Sequence, residues 1–146
     1  MNEAEKFWSD FEATTGEKVL VRSIGIWHEE GNPRGLWGIA ILTDKAFRFK
    51  YLPSQNLLLG MFRGPSGKGP ERAEVDITAP LETISSLREE KRGFFGRIFG
   101  DPFRRIELAW QEREGEVKAE SFSIDPSGGL LDKLRRAISD RAEGNQ

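Results

Sequence analysis

Residues 36–51 read LWGIAILTDKAFRFKY, and their local chemistry points to one structure. Trp37, Ile39 and Ile41 alternate with Gly38, Ala40 and Leu42. Thr43, Asp44 and Lys45 interrupt, and Phe47, Phe49 and Tyr51 then alternate with Arg48 and Lys50. Every second side chain of a strand points to the same side, and aspartate favours turns, so the stretch predicts a β-hairpin. On this reading two rows of large side chains share one face. Such a face must be covered, which asks for a barrel or sandwich around it.

The rest of the chain is consistent with that demand. At 146 residues with 37% apolar composition it is a single-domain length, sufficient for a core without cross-links. Cysteine is absent, which removes disulfides, thiolate chemistry and Cys-based zinc sites. No apolar run reaches the length of a membrane span, and MNEAEKFWSD lacks the features of a secretory signal, so a cytoplasmic location is expected. The net charge of −2 argues against a nucleic-acid binder that relies on a basic field.

Upstream, Asn2 and Glu5 resemble a capping box before Ala4, Phe7, Trp8 and Phe11, predicting a short helix over residues 1–15 that Gly16 ends. Residues 18–27 read as a strand, with Gly25 marking a bulge, and HEEGNPRG as a loop. Downstream, residues 74–87 have strand spacing bent at Ala79-Pro80. Ile106, Leu108 and Trp110 form one strand, Arg113, Glu114 and Gly115 a turn, and residues 117–124 its partner, with Phe122 and Ile124 inward. Trp37, Trp110 and Phe122 are expected in the core. Asp125 and Pro126 open a helix over 126–141 whose stripe is Leu130, Leu131, Leu134, Ala137 and Ile138.

This order resembles the pleckstrin-homology-like superfold, in particular its small bacterial and GRAM-like members. The resemblance rests on EKVL at 17–20, LTD at 42–44 with FRF at 47–49, APLETISSL at 79–87, FSIDP at 122–126 and LLDKLRRAI at 130–138. It covers residues 17–138. It implies a mainly β barrel of two orthogonally packed antiparallel sheets, about seven strands, plugged at one end by the C-terminal helix. The N-terminal helix is an addition. Lipid-binding members of the superfold usually read phosphoinositides with basic residues in the first inter-strand loop. Here that loop carries Glu29 and Glu30, which repel phosphate, so no inherited head-group site is expected.

The most unusual stretch is KRGFFGRIFGDPFRR at 91–105, placed between two strands as the tip of a long hairpin. Phe94, Phe95, Ile98 and Phe99 form an apolar tip, collared by Lys91, Arg92, Arg97, Arg104 and Arg105. Such a tip suits a protein partner or a second copy of the chain. It also suits an anionic membrane, with the rings inserting and the cations on lipid phosphates. At about 1 kcal/mol per cation the collar alone supplies roughly 4 to 5 kcal/mol, and two partly buried rings add about 2 to 4 kcal/mol. A third outcome is that the tip folds back on the barrel or on the N-terminal helix.

Catalytic signals are weak. GMFRGPSGKGP within 60–70 is not a phosphate loop: Phe62 stands where the first glycine belongs, and Gly69 where a hydroxyl is needed. His28, the one histidine, is too little for a metal site and is expected at the surface. No convincing acid–base pair or nucleophilic triad can be assembled. The sequence therefore predicts a non-enzymatic adaptor with no cofactor, no metal and no small-molecule substrate.

Overall fold

The computed structural model describes residues 3–32, 35–51, 74–90 and 103–144. Helix α1 (Glu3–Thr15) leads into strands β1 (Val19–Trp27), β2 (Leu36–Thr43), β3 (Ala46–Tyr51) and β4 (Val75–Pro80). After one 3-10 turn (Leu81–Thr83) follow β5 (Ile84–Glu89), β6 (Arg104–Gln111) and β7 (Val117–Ile124), then a second 3-10 turn (Pro126–Gly128) and helix α2 (Leu130–Gly144).

The seven strands form one hydrogen-bonded sheet in the order β4-β3-β2-β1-β7-β6-β5, antiparallel throughout. The stretch expected as one bent strand at 74–87 is two, β4 and β5, which lie at opposite edges of the sheet. Only three residues join them, which draws the two edges together at that corner. Pro80 is what separates them, since it lacks the N–H that would continue the ladder.

The hairpin of β2 and β3 is present, but its register corrects the expected faces. The turn closes between Thr43 and Ala46, with the Thr43 hydroxyl accepting from the backbone N–H groups of Lys45 and Ala46 at 3.1 and 2.9 Å. Leu42 then stands opposite Phe47, Ala40 opposite Phe49, and Ile41 opposite Arg48. Phe47 and Phe49 therefore share a face with Ala40 and Leu42, while Ile39 and Ile41 point the other way. Because side chains alternate, a one-residue difference in where the turn falls inverts the whole row.

The first face is the main core. Phe47, Phe49, Ile106, Leu108, Trp110, Phe122 and Ile124 are buried there with Leu130, Leu131 and Leu134 of α2. The Phe122 ring lies 5.2 Å from that of Phe47 and 5.7 Å from that of Phe49. Gly38 makes room for this packing: a Cβ there would sit 2.6 Å from the Phe49 ring and 2.5 Å from the Lys50 carbonyl oxygen. The second face is covered by α1, whose Phe11 and Trp8 pack on Ile39, Ile41 and Val19. Strand β2 is thus buried on both sides from Gly38 to Thr43.

Smaller corrections follow from local geometry. The register shift in β1 lies between Val19 and Val21, not at Gly25, which pairs regularly with Gly38. Asp125 does cap, accepting from the Ser127 N–H at 2.9 Å, but the cap serves the 3-10 turn. Gly129, at φ +75°, then redirects the chain, so α2 starts at Leu130 rather than at residue 126 and runs to Gly144.

Candidate interaction surface

Strands β5 and β6 are the two arms of the hairpin that the 91–105 stretch closes. Lys91, Arg92, Phe94, Phe95, Arg97, Ile98 and Phe99 lie outside the described residues; Arg104 and Arg105 lie within them. Both arginines are engaged across the stem. Arg104 Nη1 donates to Glu89 Oε1 at 3.0 Å, and Arg105 Nε stands 3.3 Å from Glu90 Oε2. The Glu90 backbone N–H donates to the Arg105 carbonyl at 2.9 Å, extending the ladder beyond β5. On the next outward row Arg88 Nη2 donates to Glu107 Oε1 at 2.5 Å. Among the described residues the stem is therefore close to charge-neutral, while Lys91, Arg92 and Arg97 of the expected collar lie outside them.

Alternation sorts these pairs by face. Arg104 and Glu89 lie on the α2 side, where Arg135 of α2 also donates to Glu89. Burial of Glu89 opposes ionisation, but hydrogen bonds and charge from Arg135 and Arg104 outweigh it and hold the carboxyl below the usual carboxylate range. Arg105, Glu90, Arg88 and Glu107 lie on the α1 side.

Trp37, expected in the core, is on that same side and 48% exposed. It continues the row of Ile39 and Ile41 past the end of the α1 cover. Phe103, at the foot of the hairpin, meets the Trp37 ring edge-on with centroids 5.5 Å apart. A strand-pair partner for Trp37 is Ile26 of β1, which in turn stands opposite Ser123 of β7, itself opposite Arg105 of β6. Between Trp37 and Arg105 this row thus holds one apolar residue, Ile26, and one small polar residue, Ser123. Sequence reading missed Trp37 and Phe103 as surface groups; the parity of the turn at 43–46 was the signal that could have found Trp37.

His28 adjoins this surface. It is half-buried rather than a free surface group. Its backbone N–H donates to the Ser121 carbonyl at 2.9 Å, and its Nε2 is 2.7 Å from Ser123 Oγ. Burial and the charge of Arg105 press the imidazole below its ordinary pKa, against a smaller opposing effect of Glu90. The distance is that of a nucleophile and its base. However, Ser123 lies within a strand paired on both sides, so the neighbouring backbone N–H groups are committed to ladders instead of an oxyanion. Among the described residues no group of three or more His, Asp or Glu side chains is placed to hold a metal ion.

Beneath α1 the charged groups are architectural. Glu17, 8% exposed, accepts from Arg48 Nη2 at 2.6 Å and from the Thr43 hydroxyl at 2.5 Å. Burial disfavours its ionised form, yet these hydrogen bonds and the Arg48 charge leave its carboxyl below the usual range. Arg22 stacks over Trp8 at 4.6 Å and Lys50 over Phe11 at 4.9 Å, so cations of the sheet grip the aromatic face of the helix. Among the described residues no helix is long and apolar enough to cross a membrane. No known protein family matches the chain, and no curated protein matches it.

Proposed function

We propose that this chain is a non-enzymatic protein-interaction domain of pleckstrin-homology-like type, cytoplasmic, which contacts a protein partner or its own copy through the tip and foot of the β5–β6 hairpin. The strand order supports the fold reading. Two meanders, β1–β4 and β5–β7, meet at a seam of three paired positions, Gly25 with Ile124, Ile26 with Ser123 and Trp27 with Phe122. So short a seam lets the two halves of the sheet pack across each other as a barrel, with the β4–β5 corner drawing its edges together and α2 plugging one end.

The observation that carries the functional reading is the Trp37–Phe103 pair: a large aromatic, nearly half exposed, against the residue that follows the stretch bearing Phe94, Phe95, Ile98 and Phe99. Exposed aromatics beside mixed charge suit a protein surface, where rings anchor and charges orient. An anionic membrane asks for free cations, and Arg104 and Arg105 already face glutamates.

Two measurements on the intact protein test this. Sedimentation velocity is expected to show mass rising with concentration, and Phe95→Asp is expected to abolish that rise. Pelleting with phosphatidylserine-containing vesicles in low salt is expected to be negligible. Vesicle binding that Phe95→Asp removes would replace the reading with a peripheral membrane one.

A further inference from the structure

Of residues 4–15 in α1, Phe11 alone is buried; Phe7, Trp8, Glu12 and Thr15 are half-buried and the rest exposed. Phe11 sits on Ile39 and Ile41 with Trp8 beside it, the two rings 5.8 Å apart. Three cations of the sheet grip these rings: Arg22 lies 4.6 Å from that of Trp8, and Arg48 and Lys50 lie 5.6 and 4.9 Å from that of Phe11. Glu12 Oε2 also accepts from the Val19 N–H at 2.8 Å. All of these contacts run from helix to sheet, so the sheet of an identical chain offers α1 the same seat.

The connection between helix and sheet turns on one residue. On the helix side, the Gly16 N–H donates to the Glu12 carbonyl at 2.9 Å and the Thr15 hydroxyl to that of Phe11 at 2.8 Å. On the sheet side, Glu17 is fixed by Arg48 and Thr43, and the Lys18 N–H donates to Asp44 Oδ1 at 2.8 Å. Gly16 stands between them, exposed, at φ +71°, with nothing within 4 Å of where a Cβ would sit. Two hydrogen bonds of 3.2 Å brace the bend, from Lys45 Nζ to the Gly16 carbonyl and from the Glu17 N–H to Thr15 Oγ.

We propose that α1 is exchangeable between two copies of this chain with Gly16 as the hinge: re-aimed at Gly16, α1 of each copy covers Ile39 and Ile41 of the other. This is a mode of self-association separate from the hairpin foot, and it does not require that surface. An exchanged pair repeats the contacts of the closed monomer, so the two differ mainly in the backbone at Gly16 and in the cost of bringing two chains together. Glycine enters the left-handed region without steric penalty, which favours the closed form. The tethered helix also meets its own sheet at about millimolar effective concentration, so the wild-type chain exchanges only in protein more concentrated than that. A β-branched residue at 16 tips the balance, being strained at positive φ in the closed form and relaxed in an extended hinge.

The test uses the full chain carrying Phe95→Asp, so that the hairpin tip contributes no association. In that background Gly16→Val is expected to lower the dimer dissociation constant in sedimentation equilibrium about 100-fold, about tenfold for each of two hinges. Gly16→Ala is expected to act in the same direction more weakly, and Gly16→Asn, which tolerates the left-handed region, to leave the constant unchanged. When isotope-labelled and unlabelled Gly16→Val chains are unfolded and refolded together, intermolecular NOEs are expected between the Phe11 ring and the Ile41 methyl groups. Adding Phe11→Ala is expected to return Gly16→Val to monomer. A Gly16→Val and a Gly16→Ala chain that both stay monomeric, a dimer without those NOEs, or a Gly16→Asn chain that dimerises as strongly as Gly16→Val overturns the exchange. Trp37→Ser is expected to leave the exchanged dimer intact, so the failure of this inference and the failure of the hairpin-foot reading are told apart.

Discussion

On one side of the hairpin of β2 and β3, Leu42, Phe47 and Phe49 are closed off from water beneath α2. On the other, the same two strands present Ile39, Ile41, Arg48 and Lys50 to α1, and beyond the helix they present Trp37 to solvent. The α2 side is an apolar layer whose shape is fixed by ring-on-ring packing. The α1 side mixes apolar contacts with stacked cations and several ion pairs, Arg48 with Glu17 and Lys50 with Asp76 among them, and among the described residues it is left incomplete at the hairpin foot. A sheet that needs only one covered face to fold has its second face for other work, and here, among the described residues, α1 covers only part of that face.

The sharpest way to break this contrast is to remove mass from each side. Phe122→Ala, at the centre of the α2-side core, is expected to cost about 3 to 5 kcal/mol in urea unfolding. If Trp37→Ser cost as much, the two faces would not differ and Trp37 would have to be a core residue.

An intermediate loss is expected from Arg48→Ala, which strips Glu17 of its cation while leaving the carboxylate 8% exposed; about 2 kcal/mol at neutral pH follows from a lost hydrogen bond to a charged group. The pH dependence has a definite sign. Glu17 and Glu89 are both held below the usual carboxylate range in the folded chain, so their contribution is present above that range and is lost as pH falls through the depressed values. Acid unfolding curves of Arg48→Ala should lack the Glu17 part of this loss. An unchanged acid profile would place the stability of the α1 side in its apolar contacts alone.

The smallest effect on stability belongs to the available part of the α1 side. Trp37→Ser is expected to change unfolding by no more than about 0.5 kcal/mol, as for a surface substitution, while weakening self-association in sedimentation. Loss of association without loss of stability would sharpen the distinction between a face that folds the chain and a face that meets a partner.

Much of the architecture could be read from the chain because alternation and turn chemistry are local. Phe122, Trp110 and Ile106 fall where their spacing puts them, Gly16 and Gly115 turn the chain at positive φ, and the stripe of Leu130, Leu131 and Leu134 meets the core. What could not be read is long-range. Trp37 has the pattern of a core residue, and only the pairing of Leu42 with Phe47 shows that it faces away. The double burial of Ile39 to Leu42 depends on where α1 docks, which has no local signature, and Pro80 marks the break between β4 and β5 without telling that the two strands go to opposite edges of the sheet. The candidate surface was legible only in part. Arg104 and Arg105 were expected as part of a basic collar, and the structure pairs them with Glu89 and Glu90, which directly precede the 91–105 stretch.

The central claim, that the α1-side surface at the hairpin foot is where this chain meets a protein, is tested most directly by hydroxyl-radical footprinting across a concentration series. In dilute protein Trp37 and Phe103 should oxidise readily while Trp110 resists; at high concentration both should become protected, with Trp110 unchanged. Trp37 already protected in dilute protein, or oxidised equally at every concentration that sedimentation shows to be associated, would contradict it.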